Sequence, residues 1–381
     1  MRNYFIWGAG IEGVRAEYNF RNLIEISGFI DNYATGTTGS KSVIIMHPSD
    51  VLEDKQNYYI IAVSEGKYFE IKDQLISEGL TEFEDFIYWK LFKKKVVLLY
   101  GNCHMAVVRD MLYTSQEFNK KYGIYPLKLI QELKNKIPDS LLEKVDVLIS
   151  EDIQEDNRFG YEYSVRYLKE RIKDDIKLIV IPNLFGMGKA FFYQYDGVRN
   201  HPIANDKNGL FSYVDMYIDE QLSKGIAVND IGDQIKNGTP FSEDEVIRNF
   251  NDVIKKYSDR EKYCNIKIVD YILDNYITHK LFWDYGHPTN YVINEMVVRL
   301  LHEMNLEDKV LCTEDEMNTH EEFVYPCVAK ALGLKWKQEK VRCTRNAKKC
   351  VSYMDLNEYI EEYAWWNAQK LRSAKTDGEC I

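Results

Sequence analysis

Two stretches of this chain each read as an apolar strand that runs straight into a glycine turn and then a helix, and this pattern sets the fold class. The first is Asn3 to Trp7, followed by Gly8, Gly10 and Gly13 and a helix over residues 11–23. The second is residues 96–100, then Gly101, Asn102 and Cys103, then a helical period over residues 105–112 with Val108, Met111 and Leu112 on one face. Further strand-length runs lie at residues 28–30, 58–63, 83–87, 145–150 and 177–182, with helical segments at 68–77 and 161–171 between them. Alternation of this kind builds parallel sheets whose C-terminal strand ends carry the ligand crevice. The fold expected is α/β: a Rossmann-like module over residues 1–90, a second α/β module over 95–310, and a helical, partly basic extension over 311–381. Lys93, Lys94 and Lys95 form the hinge, and 381 residues suit two or three domains at roughly 100–200 residues each.

Charge and composition exclude several functions. Lys and Arg total 49 against 60 Asp and Glu, and the net charge of −11 opposes nucleic acid as a partner. The apolar runs are strand-length, far below the ~20 residues of a membrane span, so no transmembrane segment is expected. The N-terminus lacks the basic head and apolar core of a signal peptide, which points to the cytoplasm. Seven cysteines without a CxxC spacing read as reduced thiols, and with the histidines scattered no metal site is expected.

Gly8, Gly10 and Gly13 have GxGxxG spacing, and Asp31 closes the next strand near the place of a ribose-binding carboxylate. Such glycines let a backbone approach a diphosphate at a helix N-terminus, or they only let helix and strand pack closely. The runs IWGAGIEG, GFIDN and VIIMHPSDVL resemble the N-terminal nucleotide-binding domain of PglD-type bacterial sugar acetyltransferases. That resemblance covers residues 1–90 and implies a nucleotide or UDP-sugar ligand rather than NAD. An NAD-dependent oxidoreductase would rest only on Gly8, Gly10, Gly13 and Asp31.

Cys103, at a strand-to-helix turn, sits where the helix dipole favours thiolate, which makes it the best nucleophile candidate; the alternative is a small residue packing the turn. Downstream, FWDYGHPTN precedes an apolar-periodic helix over residues 291–301. Its Asp284 and His287 resemble the Asp-x-x-His element with which SGNH-type hydrolases and acyltransferases orient an imidazole. In that comparison Gly101-Asn102-Cys103 falls where those enzymes carry Gly-Asp-Ser, which implies an SGNH-like three-layer second module. The loops at residues 101–104, 150–157 and 183–188 are expected to converge.

The series LLYGNCH, DVLISEDIQEDNRFGYEYSVRYL, KLIVIPNLFGMGKAFFYQYD and FWDYGHPTN looks like the WcbI family of polysaccharide-biosynthesis acetyltransferases, over residues 96–301. The resemblance implies a coenzyme A or acetyl-CoA site in capsule or surface-polysaccharide modification, with Gly101, Asn102, Cys103, Asn183 and His287 as site positions. Where the family commonly reads GNCQ, this chain has His104. On this reading His287, oriented by Asp284, is the general base, and the Cys103 N–H with Asn183 or Asn102 stabilises the oxyanion. Cys103 either carries the acyl group or is bypassed by direct attack.

Arg109 and Lys189 are the candidate cations for the coenzyme's phosphates. The basic stretch 330–349, with Lys335, Lys337, Lys340, Arg342, Arg345, Lys348 and Lys349, reads as a solvated face or as a contact for phosphate, polysaccharide or an anionic inner-membrane surface. Residues 200–208 with His201, and the glycine-punctuated 225–238, read as loops and helices covering the site before a helix over 244–257. An aromatic helix over 355–372 is expected to dock on the protein body or on a second copy in a homo-oligomer. The function expected is acetyl-CoA-dependent O-acetylation of a sugar hydroxyl on a glycan acceptor. The alternatives are an SGNH-like carbohydrate esterase and a non-catalytic sugar-nucleotide-binding subunit of a polysaccharide pathway.

Overall fold

The structure is a computed structural model that describes residues 2–38, 43–54, 56–126, 128–133, 135–200, 211, 213–307, 309–311, 315, 317–345 and 350–376. The chain packs as two compact units, Met1–Ile179 and Val180–Ile381.

The first unit is built on the apolar runs read above. Strands β1 (Asn3–Trp7), β2 (Ile26–Ile30), β3 (Gly36–Thr38), β4 (Val43–Met46), β5 (Asn57–Ile61) and β6 (Phe86–Tyr88) form one sheet in the order β3-β4-β2-β1-β5-β6. All neighbouring pairs are parallel except β3 with β4. Ile6, Phe29, Ile30, Ile60 and Ile61 are fully buried, as expected for parallel strands covered on both faces. Helix α1 (Ile11–Phe20) follows β1, and α2 (Glu65–Ser77) follows β5.

Strands β7 (Lys95–Tyr100), β8 (Tyr122–Ile124), β9 (Val147–Glu151) and β10 (Lys177–Ile181) form a second sheet in the order β10-β9-β7-β8, with β7 parallel to both β8 and β9. Helix α3 (His104–Leu112) leaves the end of β7 and buries Val108, Met111 and Leu112. The change of sheet falls between β6 and β7, where the lysine hinge was read. The boundary between the compact units falls later, within β10. Polar contacts tie the two sheets of this unit together: Lys72 Nζ donates to the Tyr125 hydroxyl at 2.8 Å, and Arg109 pairs with Glu65 at 2.7 Å.

The second unit is mainly helical. Two antiparallel ribbons, β11 (Tyr195–Asn200) with β12 (Tyr213–Asp215) and β13 (Val341–Arg345) with β14 (Cys350–Met354), accompany its helices. The extension read as helical therefore contains a hairpin, β13–β14, ahead of the helix Leu356–Thr376. That helix buries Tyr359, Ile360 and Tyr363. The Tyr359 hydroxyl hydrogen-bonds Glu322 Oε2, and the Tyr363 hydroxyl accepts from Asp215 N–H at 2.9 Å.

The region 225–238, read as loops and helices, contains a ten-residue helix, Val228–Asn237. Gly232 there is a close-packing residue, since a Cβ would lie 2.4 Å from Asn357 Oδ1. The helix read over 161–171 shortens to Val165–Lys169 behind a 3-10 turn, because Ser164 is extended and caps it through the Tyr167 N–H at 3.2 Å. His201, the rest of its loop to residue 208, and Lys348 and Lys349 lie outside the described residues. Among the described residues no helix is long and apolar enough to cross a membrane.

Candidate functional site

In the first unit the turn after β7 is organised by a carboxylate that the sequence motif does not contain. Glu151, the last residue of β9, is fully buried and accepts the Asn102 N–H at 2.8 Å through Oε2. Its Oε1 lies 3.1 Å from His104 Nδ1, and His104 is itself fully buried. Gly101 is required by this arrangement: a Cβ would sit 2.5 Å from Glu151 Oε2 and 2.7 Å from Met105 Cγ. Asn102 Oδ1 accepts the His104 N–H at 2.8 Å, satisfying one of the donors that a helix start leaves unpaired. Cys103 is the N-cap of the nine-residue α3 and is half-buried. Gly101, Asn102, Cys103 and His104 thus form one cluster with Glu151, and the imidazole faces Glu151 beneath the turn.

The neighbouring cation candidate is already engaged. Arg109 pairs with Glu65 at 2.7 Å and with Asp110 at 2.8 Å. A phosphate reaching Arg109 competes with both carboxylates.

The N-terminal glycine turn is likewise tightly built. Gly8 has φ +113°, and a Cβ there would lie 2.4 Å from the Ala62 carbonyl oxygen. At Gly13 a Cβ would come within 1.8 Å of the Gly8 carbonyl oxygen, so α1 packs directly on the turn. Gly10, the helix N-cap, has nothing within 4 Å of its would-be Cβ. Asp31 clamps this turn: Oδ2 accepts from Ala9 N–H at 3.0 Å, and Oδ1 accepts from Tyr33 and Ala34 at 2.9 and 3.0 Å. Burial pushes its pKa up, but those backbone donors and the Lys67 charge leave it below the usual carboxylate range.

In the second unit the segment Phe282 to Asn290 folds back on itself. Trp283 N–H donates to the His287 carbonyl at 2.8 Å, Thr289 N–H to the Leu281 carbonyl at 2.9 Å, and Phe282 bridges Pro288. Asp284 is buried inside this loop. Its Oδ1 accepts the N–H groups of Gly286 and His287 at 2.7 and 2.8 Å, and its Oδ2 meets His287 Nδ1 at 2.7 Å. Burial alone would raise its pKa, yet the imidazole and the three hydrogen bonds hold it below the usual range. The imidazole is therefore held by an ionised, immobile carboxylate.

Gly188 presses on this loop from behind: its N–H donates to the Tyr285 carbonyl at 3.1 Å, and a Cβ would lie 2.2 Å from the Asp284 carbonyl oxygen. Asn183 starts the turn leading there, its Oδ1 accepting Phe185 N–H at 3.0 Å. Lys189 donates through Nζ to the Tyr193 carbonyl at 2.9 Å and to that of Tyr195. Of the basic stretch, Lys335, Lys337 and Lys340 are exposed, whereas Arg342 donates to the Asn318 carbonyl at 2.6 Å.

Glu151 and Gly188 lie within the loops 150–157 and 183–188 that the sequence marks for the site, but neither is singled out there. The available signal for the first is an acidic residue closing an otherwise apolar strand, and for the second the glycine pair 186 and 188 after β10.

The polysaccharide biosynthesis enzyme WcbI family matches residues 96–309 of the chain. Among solved structures, one of WcbI, called a novel polysaccharide biosynthesis enzyme, superposes with a TM-score of 0.58 at 15% identity, covering 73% of this chain and 91% of that one. It is described as the native protein without a disulfide bond between coenzyme A and a cysteine. No curated protein sequence matches the chain. The family match takes in both the Cys103 turn and the Asp284–His287 loop and spans more than half of the molecule. The chain belongs to the WcbI family of polysaccharide biosynthesis enzymes.

Proposed function

We propose that this protein transfers an acetyl group from acetyl-CoA to a sugar hydroxyl of a capsule or surface polysaccharide precursor in the cytoplasm. The observation that carries this reading is the Asp284–His287 pair, a buried carboxylate 2.7 Å from Nδ1 and locked by two backbone N–H groups. With Nδ1 committed to Asp284, Nε2 is the nitrogen that takes the acceptor's proton. The freed oxygen adds to the thioester carbonyl, and collapse of the tetrahedral adduct breaks the C–S bond. The coenzyme leaves as its thiolate and recovers the proton from the imidazolium. Asn183 is assigned to the oxyanion as a donor.

Coenzyme A is assigned to the Cys103 turn. A half-buried thiol at a helix N-cap suits an approaching thioester, and the related WcbI protein is described in terms of coenzyme A and a cysteine. Whether acetyl passes through Cys103 Sγ is a question for intact-mass spectrometry. A covalent route gives an acetylated protein with acetyl-CoA alone, and the adduct disappears in Cys103→Ala. Near-normal turnover of Cys103→Ala assigns the reaction to direct attack.

A nucleotide or UDP-sugar is assigned to the Gly8–Gly13 turn of a Rossmann-type first module, and an SGNH-like arrangement to the second. Open space at Gly10 supports the nucleotide assignment. Melting shifts with acetyl-CoA, UDP-sugars and NAD test both assignments, since ligand at a hundred times its Kd stabilises by about 2.7 kcal/mol. An esterase is favoured instead if acetylated sugars are hydrolysed and coenzyme A does not bind.

A further inference from the structure

Next to the Asp284–His287 pair lies an aromatic surface that the proton transfer does not use. Phe185 is 43% exposed, yet its backbone is firmly held. Its N–H donates to Asn183 Oδ1, its carbonyl accepts from the Tyr257 hydroxyl, and the chain turns immediately afterwards through Gly186 at φ +89°. The ring stands edge-on to Tyr285, with centroids 5.9 Å apart and planes at 79°, and lies 6.5 Å from Tyr213. Tyr213 and Tyr285 contact each other at 5.0 Å. The cluster also closes on the backbone beside the imidazole: a Cβ at Gly286 would lie 2.9 Å from Phe185 Cε2 and 2.4 Å from the Tyr213 hydroxyl. Glycine at this position is what lets the ring approach the residue preceding His287.

A fixed aromatic ring, part open to solvent and one residue from a general base, matches a particular shape of substrate. A pyranose carries its C–H bonds on a face and its hydroxyls around the rim. Stacking that face on a ring buries apolar surface while leaving a rim hydroxyl directed sideways, and phenol hydroxyls nearby suit the remaining polar groups. We propose that Phe185, backed by Tyr213 and Tyr285, is the platform on which a pyranose ring of the acceptor stacks, with a rim hydroxyl presented to His287. This rests on the acyl-transfer reading above and adds the sugar subsite to it.

The test is saturation-transfer NMR on the full chain with the methyl glycosides of glucose, galactose and mannose, alongside calorimetry with coenzyme A. Ring C–H saturation is expected from at least one glycoside in the wild type and in Phe185→Trp. It should weaken about tenfold in Phe185→Ala and Phe185→Leu, with the folded state of each variant verified by its circular dichroism and a cooperative melting transition. Coenzyme A affinity should be the same in all four proteins. Saturation from none of the three glycosides, or saturation undiminished in Phe185→Ala, overturns the platform. Weakened coenzyme A binding in Phe185→Ala also overturns it, since the ring then seats the coenzyme. A wild type that stacks glycosides through Phe185 but binds no coenzyme A leaves the platform standing and removes the transferase reading.

Discussion

In the proposed reaction one buried carboxylate, Asp284, serves both chemistry and fold. Replacing it with Asn keeps the volume but gives Nδ1 a weaker partner. We expect Asp284→Asn to lower kcat by about 10²–10⁴-fold with little change in the KM for acetyl-CoA. Its pKa is depressed in the folded protein, so its stabilising contribution is complete above the unfolded value of 3.8 and is lost as pH falls below that through the folded value. Acid titration of the melting temperature should therefore be shallower in Asp284→Asn; an unchanged acid limb would show that the carboxylate is not held as described. In the first unit, Glu151→Ala removes the buried carboxylate that His104 Nδ1 and the Asn102 N–H face and should cost about 1–3 kcal/mol, measured by chemical denaturation. Glu151→Gln should cost less. The strand-to-helix turn at Gly101, Asn102 and Cys103 was legible because pattern and position agree locally. The part Glu151 plays there was not legible beyond its place in the 150–157 loop, because it acts across parallel strands on residues 47 and 49 positions away.

At the scale of elements, two glycines of the first turn differ in what the packing asks of them. Gly13→Ala drives a methyl into the Gly8 carbonyl and should lower stability by about 1–3 kcal/mol or more, whereas Gly10→Ala meets open space and should stay within about 0.5 kcal/mol. Equal melting temperatures for the two variants would contradict the tight α1 turn. The nucleotide assignment adds that Gly10→Ala folds normally yet binds its ligand more weakly. The longer parallel strands of the first unit were legible because strands buried on both faces give unbroken apolar runs, whereas the short β3, β4 and β8 were not. The bounds of the helix Val228–Asn237 were not legible either, since Gly232 looks like a breaker in sequence and serves close approach to Asn357 in space. Short ribbons such as β11–β12 gave no period long enough to read.

At the scale of the molecule, a buried polar network in the second unit fastens the C-terminal helix. Tyr195 and Tyr359 share Glu322, His320 lies 3.1 Å from Glu322, and Tyr325 donates to Asp215 at 2.8 Å. Burial pushes Asp215 up to about 7. Burial opposes the charge on His320, but Glu322 and Cys343 hold its pKa up at about 10. Both folded values exceed the unfolded ones, so each contribution is full below the unfolded pKa and is lost as pH rises through the folded one. Stability should fall between about pH 4 and 7 through Asp215, by at most roughly 1.4 kcal/mol per pH unit, and Asp215→Asn should flatten that limb. A stability profile identical to wild type would contradict the assignment. This network joins residues 195, 215, 322 and 359, and no motif or period in the sequence announces it.

The central claim is that His287 is the base of an acetyl transfer drawn from acetyl-CoA. The direct measurement is the rate of coenzyme A thiol release from acetyl-CoA in the presence of a surface-polysaccharide oligosaccharide preparation, comparing wild type with His287→Ala. The account predicts acceptor-dependent release in the wild type and a fall of about 10²–10⁴-fold in the variant at unchanged coenzyme A affinity. Wild-type rates in His287→Ala would contradict it.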